Sequence, residues 1–146
     1  MLDILKPLFL RELDKVRTEI TLYRHEAHIW KTSQDIANSG GNLCLHLVGN
    51  LKTFIGKELG GLPYIRNREE EFSLKDIPRS QLIVMVDETR DAVDRTLNQL
   101  TDDLLGNVYP VIVFKEKMTT GYFLVHLLSH LSYHLGQLNY HRRLLD

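Results

Sequence analysis

The sequence predicts an all-α protein with a single domain over residues 1–146, built as a four-helix bundle. Long stretches carry apolar side chains three and four residues apart, which is the period of an amphipathic helix. Only residues 107–118 are rich in β-branched and aromatic side chains, and that stretch is too short for a sheet. A chain of 146 residues can also bury one continuous core without a disulfide.

Capping and breaking residues divide the chain into these helices. Side chains suited to N-caps precede the second, third and fourth helices, and glycines follow the second and third. The predicted caps are Asn38 or Ser39, Ser80, and Thr119 or Thr120. The predicted helices comprise residues 2–30, from about Asn42 to Leu59, 80–106, and from 119 or 120 to the C-terminus.

Two connections are not tight turns. Residues 61–79 contain two prolines and the charged run Arg66–Glu71, so we expect a long surface crossover, and long loops in compact domains are often functional. The β-branched and aromatic side chains of residues 107–118 predict a short extended segment before the last helix. The order of the helices therefore need not be simple up-and-down.

Composition excludes several classes of function. A net charge of -1 gives no reason to expect a nucleic-acid partner, which usually needs a strongly basic face. The single cysteine, Cys44, excludes an intramolecular disulfide and a cysteine-rich zinc site. No long uncharged apolar run is present, and an aspartate, a lysine and a proline lie within the first seven positions. We therefore expect no membrane segment and a cytoplasmic protein.

The last predicted helix carries a histidine repeat. His126, His130 and His134 recur every four residues, and residues four apart lie one above the other on a helix, so His130 and His134 can chelate one divalent ion. Leu131 stands where HExxH metalloproteases carry their general base, which disfavours peptide hydrolysis on that pattern. Such pairs also arise by chance, so a hydrogen-bonded, structural role for these rings is the alternative.

A third ligand is expected from the second helix. His46 is flanked by Leu45, Leu47 and Val48, and an unpaired polar ring in such a setting is costly. Asn50 lies one turn further on the same face, and Gln137 lies beside His134, so either could support an imidazole or a water around the ion. Cys44 is rotated about 200° from His46, at about 100° per residue, and should point elsewhere.

Two motifs are more specific than the spacing alone. The first is Trp30 with Asn38-Ser39-Gly40 leading into Leu45-His46-Leu47-Val48-Gly49-Asn50-Leu51; the second is an HxxxH pair that runs into Gly136-Gln137-Leu138. Over nearly the whole chain, they resemble the DinB-like (YfiT-like) superfamily of metal-binding four-helix bundles. The run Arg66–Phe72 is similar to a feature of one uncharacterised subgroup.

This resemblance implies a ligand set and a type of chemistry. His46, His130 and His134 correspond to the metal ligands, and the ion would be zinc or nickel, with iron or manganese as alternatives. Characterised members of the superfamily include S-transferases and isomerases that use a low-molecular-weight thiol, bacillithiol or mycothiol, and homodimers are common among them. A small-molecule substrate is therefore expected.

Two functions compete at this stage. The first is a metal-dependent transferase or hydrolase in which the ion activates a thiol or water, with His126 as a proton carrier and Arg66 or Arg68 as an anion contact. The second is a non-catalytic metal-binding, stress-associated or dimerisation protein, favoured by the lack of an obvious nucleophile near the histidines. His126 could also merely extend the polar face, and the charged run could be a solvated surface.

Overall fold

A computed structural model describes all 146 residues. It shows a chain folded into five α-helices with no β-strand. The helices are α1 (Leu2–Leu22), α2 (Gly40–Leu51), α3 (Arg68–Ser73), α4 (Arg79–Gln99) and α5 (Thr120–Leu145). Two 3₁₀ segments, Glu26–Trp30 and Asp102–Gly106, and one π-helical segment, Lys52–Lys57, accompany them. The prediction of an all-α protein is confirmed.

One hydrophobic core joins the four longer helices. α1 packs against α4 and α5, and α2 packs against the same two helices. The core is largely aliphatic, and each fully buried leucine or phenylalanine contributes about 1.5–3 kcal/mol through removal of apolar surface from water. Side chains with at most 1% exposure include Phe9, Val16, Ile20, Leu47, Leu51, Leu82, Val93, Leu124, Leu127, Leu131 and Leu138.

No helix combines the length and the apolar character that a membrane span requires.

The first helix is shorter than the predicted range 2–30. Beyond Leu22 the backbone at Tyr23 turns to extended angles, and its carbonyl accepts a hydrogen bond of 2.7 Å from the Arg79 guanidinium. The Asp146 carboxylate accepts from the backbone amides of Arg24 and His25 at 2.8 and 3.1 Å. Partners that are remote in the sequence thus satisfy the helix end, and periodicity alone could not locate it.

The second helix begins where its capping residue predicts and ends irregularly. The Ser39 hydroxyl accepts a hydrogen bond from the Asn42 amide at 3.1 Å, which confirms Ser39 as the N-cap. After Leu51 the helix widens into the π-helical segment. There the Phe54 carbonyl accepts a hydrogen bond of 2.6 Å from the Tyr109 hydroxyl rather than from the helix backbone.

The crossover is not an irregular loop throughout. Residues Arg68–Ser73, expected to be unstructured surface, form the short helix α3, whose N-cap Asn67 accepts from the Glu70 amide. Asn42 of α2 anchors the end of α3, because its side-chain amide donates to the carbonyls of Glu71 and Leu74 at 3.0 and 2.9 Å. The crossover is therefore held directly against α2.

The third predicted helix also needs correction. The helix ends at Gln99 rather than at Gly106, since Leu100 and Thr101 are extended before the second 3₁₀ segment. Residues 107–118 form no strand, and a single bridge pairs Val108 with Thr119.

A pair of glycine substitutions tests the packing at the start of α2. A Cβ on Gly41 would lie 2.5–2.6 Å from ring atoms of Trp30, whereas a Cβ on Gly136 would meet nothing within 4 Å. We expect Gly41→Ala to lower the free energy of unfolding by about 1–3 kcal/mol through overpacking. Gly136→Ala, the matched control in α5, should raise it by about 0.5–1 kcal/mol. Urea denaturation measures both, and equal effects would contradict this packing.

Candidate metal centre

Antiparallel packing of α2 against α5 brings the predicted ligands together. His46 lies against His130, and about two turns along each segment, at about 3.6 residues per turn, the Phe54 ring meets the Phe123 ring at a centroid distance of 5.3 Å. Residue numbers thus rise along one segment as they fall along the other. The four-residue spacing in α5 then places His134 on the same face as His130.

The three imidazoles meet through their Nε2 atoms. The Nε2 of His130 lies 3.1 Å from the Nε2 of His46 and 3.1 Å from the Nε2 of His134. One ligand atom from each of the three rings lies within 4.8 Å of the other two. Because α2 contributes one ring and α5 contributes two, the packing of these two helices determines the cluster.

Hydrogen bonds at the outer nitrogens indicate which way two of the rings present their lone pairs. The Nδ1 of His46 lies 3.0 Å from Oε1 of Glu71, and the Nδ1 of His134 lies 2.7 Å from Oε1 of Gln137. Both oxygens are acceptors, so each Nδ1 carries the proton and donates it. The Nε2 atoms of His46 and His134 consequently carry lone pairs that point towards His130.

This arrangement suits a divalent cation. His130 has one Nε2 and can donate a proton to only one of the two lone pairs that face it, whereas a cation can accept all three. For zinc, bonds of about 2.0–2.1 Å at tetrahedral angles separate neighbouring nitrogens by about 3.3–3.4 Å, close to the 3.1 Å observed. The cluster could therefore hold a metal ion through three imidazoles.

Burial keeps two of the rings in the form that binds metal. Burial lowers the pKa of His130 to about 4, with the nearby His134 and His46 rings adding to the effect. Burial also lowers the pKa of His134, although the hydrogen bond with Gln137 partly opposes it. Both rings are neutral at pH 7, as metal ligation requires.

Glu71 is the site residue that the sequence analysis missed. Glu71 as a residue is 5% exposed, and its carboxylate accepts hydrogen bonds from His46 and from the Arg66 guanidinium, the latter at 2.7 and 2.8 Å. Burial alone would raise the pKa of Glu71, but the hydrogen bonds from Arg66 and His46 outweigh it, so the pKa falls below its ordinary value. A buried carboxylate thus lies directly behind a candidate ligand.

Gly49 explains how the carboxylate fits against α2. A Cβ at this position would overlap Oε2 of Glu71 and lie 3.3 Å from Nε of Arg66. Gly49 follows His46 by three residues and faces the same side of the helix. A glycine one turn from a buried histidine is the only signal in the sequence that a second chain segment approaches there.

Of the two residues predicted to support the ligands, Gln137 forms a hydrogen bond with a histidine and Asn50 does not. Gln137 contacts His134 as expected, and its side-chain amide also donates to the Tyr133 hydroxyl. Asn50 is buried, makes no side-chain hydrogen bond, and leaves its Oδ1 without a partner. Glu71, rather than Asn50, therefore accepts the hydrogen bond from the Nδ1 of His46, and the support of a water molecule by Asn50 stays a prediction.

His126 and the two arginines lie around the three-histidine group. His126 is half-buried, stacks on Phe123 and on His130 at centroid distances of 5.8 and 6.3 Å, and lies outside the group of three. Arg66 donates through Nε and Nη2 to the Glu71 carboxylate, and a contact between Arg66 and an anion stays a prediction. Arg68 is exposed and lies over the Phe72 ring at 5.9 Å.

Cys44 has no place in the centre. It is fully buried in the hydrophobic core, and burial raises the pKa of its thiol to about 12. The expectation that Cys44 points away from His46 agrees with this position.

Comparison with known families gives one match. The family described as "Protein of unknown function (DUF1572)" matches residues 10–146, which include every residue of the three-histidine cluster and of the Arg66–Glu71 pair. A comparison with curated proteins found no match.

A pair of arginine variants tests whether Arg66 belongs to the buried network. Arg66→Met leaves the Glu71 carboxylate buried without its main partner, and removing one member of a buried ion pair typically costs about 3–5 kcal/mol. Arg68→Met, two residues away and exposed, should change the free energy of unfolding by less than about 0.5 kcal/mol. Guanidinium denaturation at pH 7 measures the free energy of unfolding of both variants.

The difference in free energy of unfolding between wild type and Arg66→Met should depend on pH. The pKa of Glu71 lies below its ordinary 4.5, so its ion pair stabilises the fold above pH 4.5, and that contribution is lost as the pH falls through the lower, folded-state pKa. The deficit of Arg66→Met relative to wild type should therefore shrink on acidification below pH 4.5. A deficit that grows on acidification would contradict the assignment.

Proposed function

The chain belongs to the DUF1572 family, and we propose that it is a divalent-metal-dependent enzyme of DinB-like (YfiT-like) four-helix-bundle architecture. In this proposal, His46, His130 and His134 hold one zinc or nickel ion, with iron or manganese as alternatives. The substrate is a small molecule, the reaction is a thiol-dependent S-transfer or a related metal-assisted transfer or hydrolysis, and the protein acts as a homodimer.

The close approach of the Nε2 atoms of His46 and His134 to that of His130, with one ligand atom of each ring within 4.8 Å of the others, carries this proposal. Three neutral imidazoles leave a divalent ion with its full charge and with coordination positions that the protein does not fill. His130 and His134 are only half-buried, and Gln137 beside them is exposed, so a small molecule could reach the cluster from the α5 side. A structural site would instead fill the fourth coordination position with another protein ligand.

The chemistry follows from the charge at this centre. A divalent ion lowers the pKa of a bound thiol or water and thereby supplies a nucleophile at neutral pH. His126 stacks on His130 and makes no hydrogen bond of its own within the protein, so in this proposal it receives or returns the proton of the nucleophile. Arg68 is exposed and lies over the ring of Phe72, which packs against His46, and in this proposal it contacts an anionic substrate group.

Metal analysis tests the centre itself. Protein purified without an affinity tag should contain one divalent ion per chain, and His46→Gln and His134→Gln should each lose most of it, because each removes one of three ligands. His25→Gln, an exposed histidine remote from the cluster in sequence, is the matched control and should keep its metal. Plasma emission spectroscopy provides the measurement, and undiminished metal in both ligand variants would disprove the site.

A second experiment separates the enzyme from a non-catalytic metal-binding, stress-associated or dimerisation protein. Wild-type protein should show metal-dependent turnover with at least one combination from a panel of thiols, electrophiles and hydrolysable esters. His126→Gln should keep its metal and lose about 10²-fold or more in rate, as expected for a general acid or base. Stoichiometric metal without turnover across the panel would favour the non-catalytic function.

A further inference from the structure

We infer that Glu71 is a positioning residue for the metal centre, which orients His46 and strengthens it as a ligand, with Arg66 holding Glu71 in place. The inference rests on the proposed metal site and assigns a role to the crossover that follows α2. It identifies α3 as part of the centre, although α3 supplies no ligand to the ion.

The contacts fix the His46 ring on several sides. Glu71 accepts the Nδ1 proton at 3.0 Å, and the Phe72 ring packs against the imidazole at a centroid distance of 5.1 Å. The side chains of His46 and Glu71 are 8% and 6% exposed. With its Nδ1 hydrogen-bonded to a carboxylate and its face covered, the ring can present only Nε2 to an ion.

Glu71 is itself held in place at two points, its carboxylate and its backbone carbonyl. Arg66 donates to both of its oxygens, a bidentate geometry that restricts rotation of the carboxylate. At the other end of the residue, the Glu71 carbonyl accepts from the Asn42 side chain, so the backbone of Glu71 is fixed to the same helix that carries His46. Side chain and backbone are thus both positioned relative to the ligand.

The three candidate ligands are supported unequally. His46 has a buried, ionised acceptor, His134 has the exposed, neutral amide of Gln137, and the buried Nδ1 of His130 has no partner in the protein. A carboxylate behind a ligating histidine raises its basicity, and loss of such a partner typically costs 10–100-fold in metal affinity. Among the three, His46 should therefore depend most on its outer partner.

A purely structural role makes a different prediction from a positioning role. The same contacts also tie the crossover to α2, so their loss could reduce stability without changing the metal centre. Metal affinity of the folded protein distinguishes the two roles, most cleanly in a variant that leaves no buried charge unpaired. Replacing both partners of a buried ion pair by apolar side chains is often neutral for stability.

The test compares zinc affinity, by chelator competition, with stability of the metal-free protein, by denaturation. Arg66→Met/Glu71→Leu removes both charges and the acceptor, and it should bind zinc about 100-fold more weakly than wild type while remaining folded. Glu71→Gln keeps an acceptor oxygen and loses the charge, so about a tenfold loss is expected. Glu70→Gln, the exposed neighbour, should match wild type.

A spectroscopic measurement complements the affinities. In zinc-loaded wild type, NMR should show a slowly exchanging proton on Nδ1 of His46, retained in Glu71→Gln and lost in the double variant. Unchanged zinc affinity in a folded double variant would overturn the positioning role and leave the metal centre intact. Absence of zinc binding by wild type would overturn the centre and the inference together.

Discussion

The rest of the site depends on the meeting of three imidazole Nε2 atoms between α2 and α5. Two of these nitrogens present lone pairs, since their outer nitrogens donate to Glu71 and Gln137, and one histidine proton cannot satisfy both. A cation is the partner that resolves this arrangement. The apolar core that joins the two helices brings the three rings together, and the hydrogen bonds at their Nδ1 atoms orient two of them.

The sequence predicts the ligands better than it predicts their support. The spacing of His130 and His134 is a local property of one helix, and the apolar neighbours of His46 indicate its burial, so both could be read without a structure. Glu71 could not, because a glutamate within the charged run Arg66–Glu71 has the composition of a solvated surface. Only tertiary contact with Gly49 and Asn42 distinguishes it from its exposed neighbours.

The sequence likewise predicts the helices of the fold better than it predicts where two of them end. Periodicity predicts the all-α class and places all four long helices, and Ser39 is correctly identified as a cap. The ends of α1 and α4 differ from prediction, because at both ends the backbone leaves the helix where no glycine or proline signals it. For α1, Arg79 and Asp146 satisfy the freed backbone groups, and both lie more than 50 positions away from Tyr23.

Coordination at a loaded centre tests the central claim most directly. X-ray absorption at the zinc edge of the zinc-loaded protein should show three imidazole nitrogens at about 2.0–2.1 Å and at least one further light-atom ligand from solvent. That result would establish three histidine ligands and a position accessible to substrate. Fewer than three imidazoles, or a shell filled entirely by protein side chains, would contradict the account.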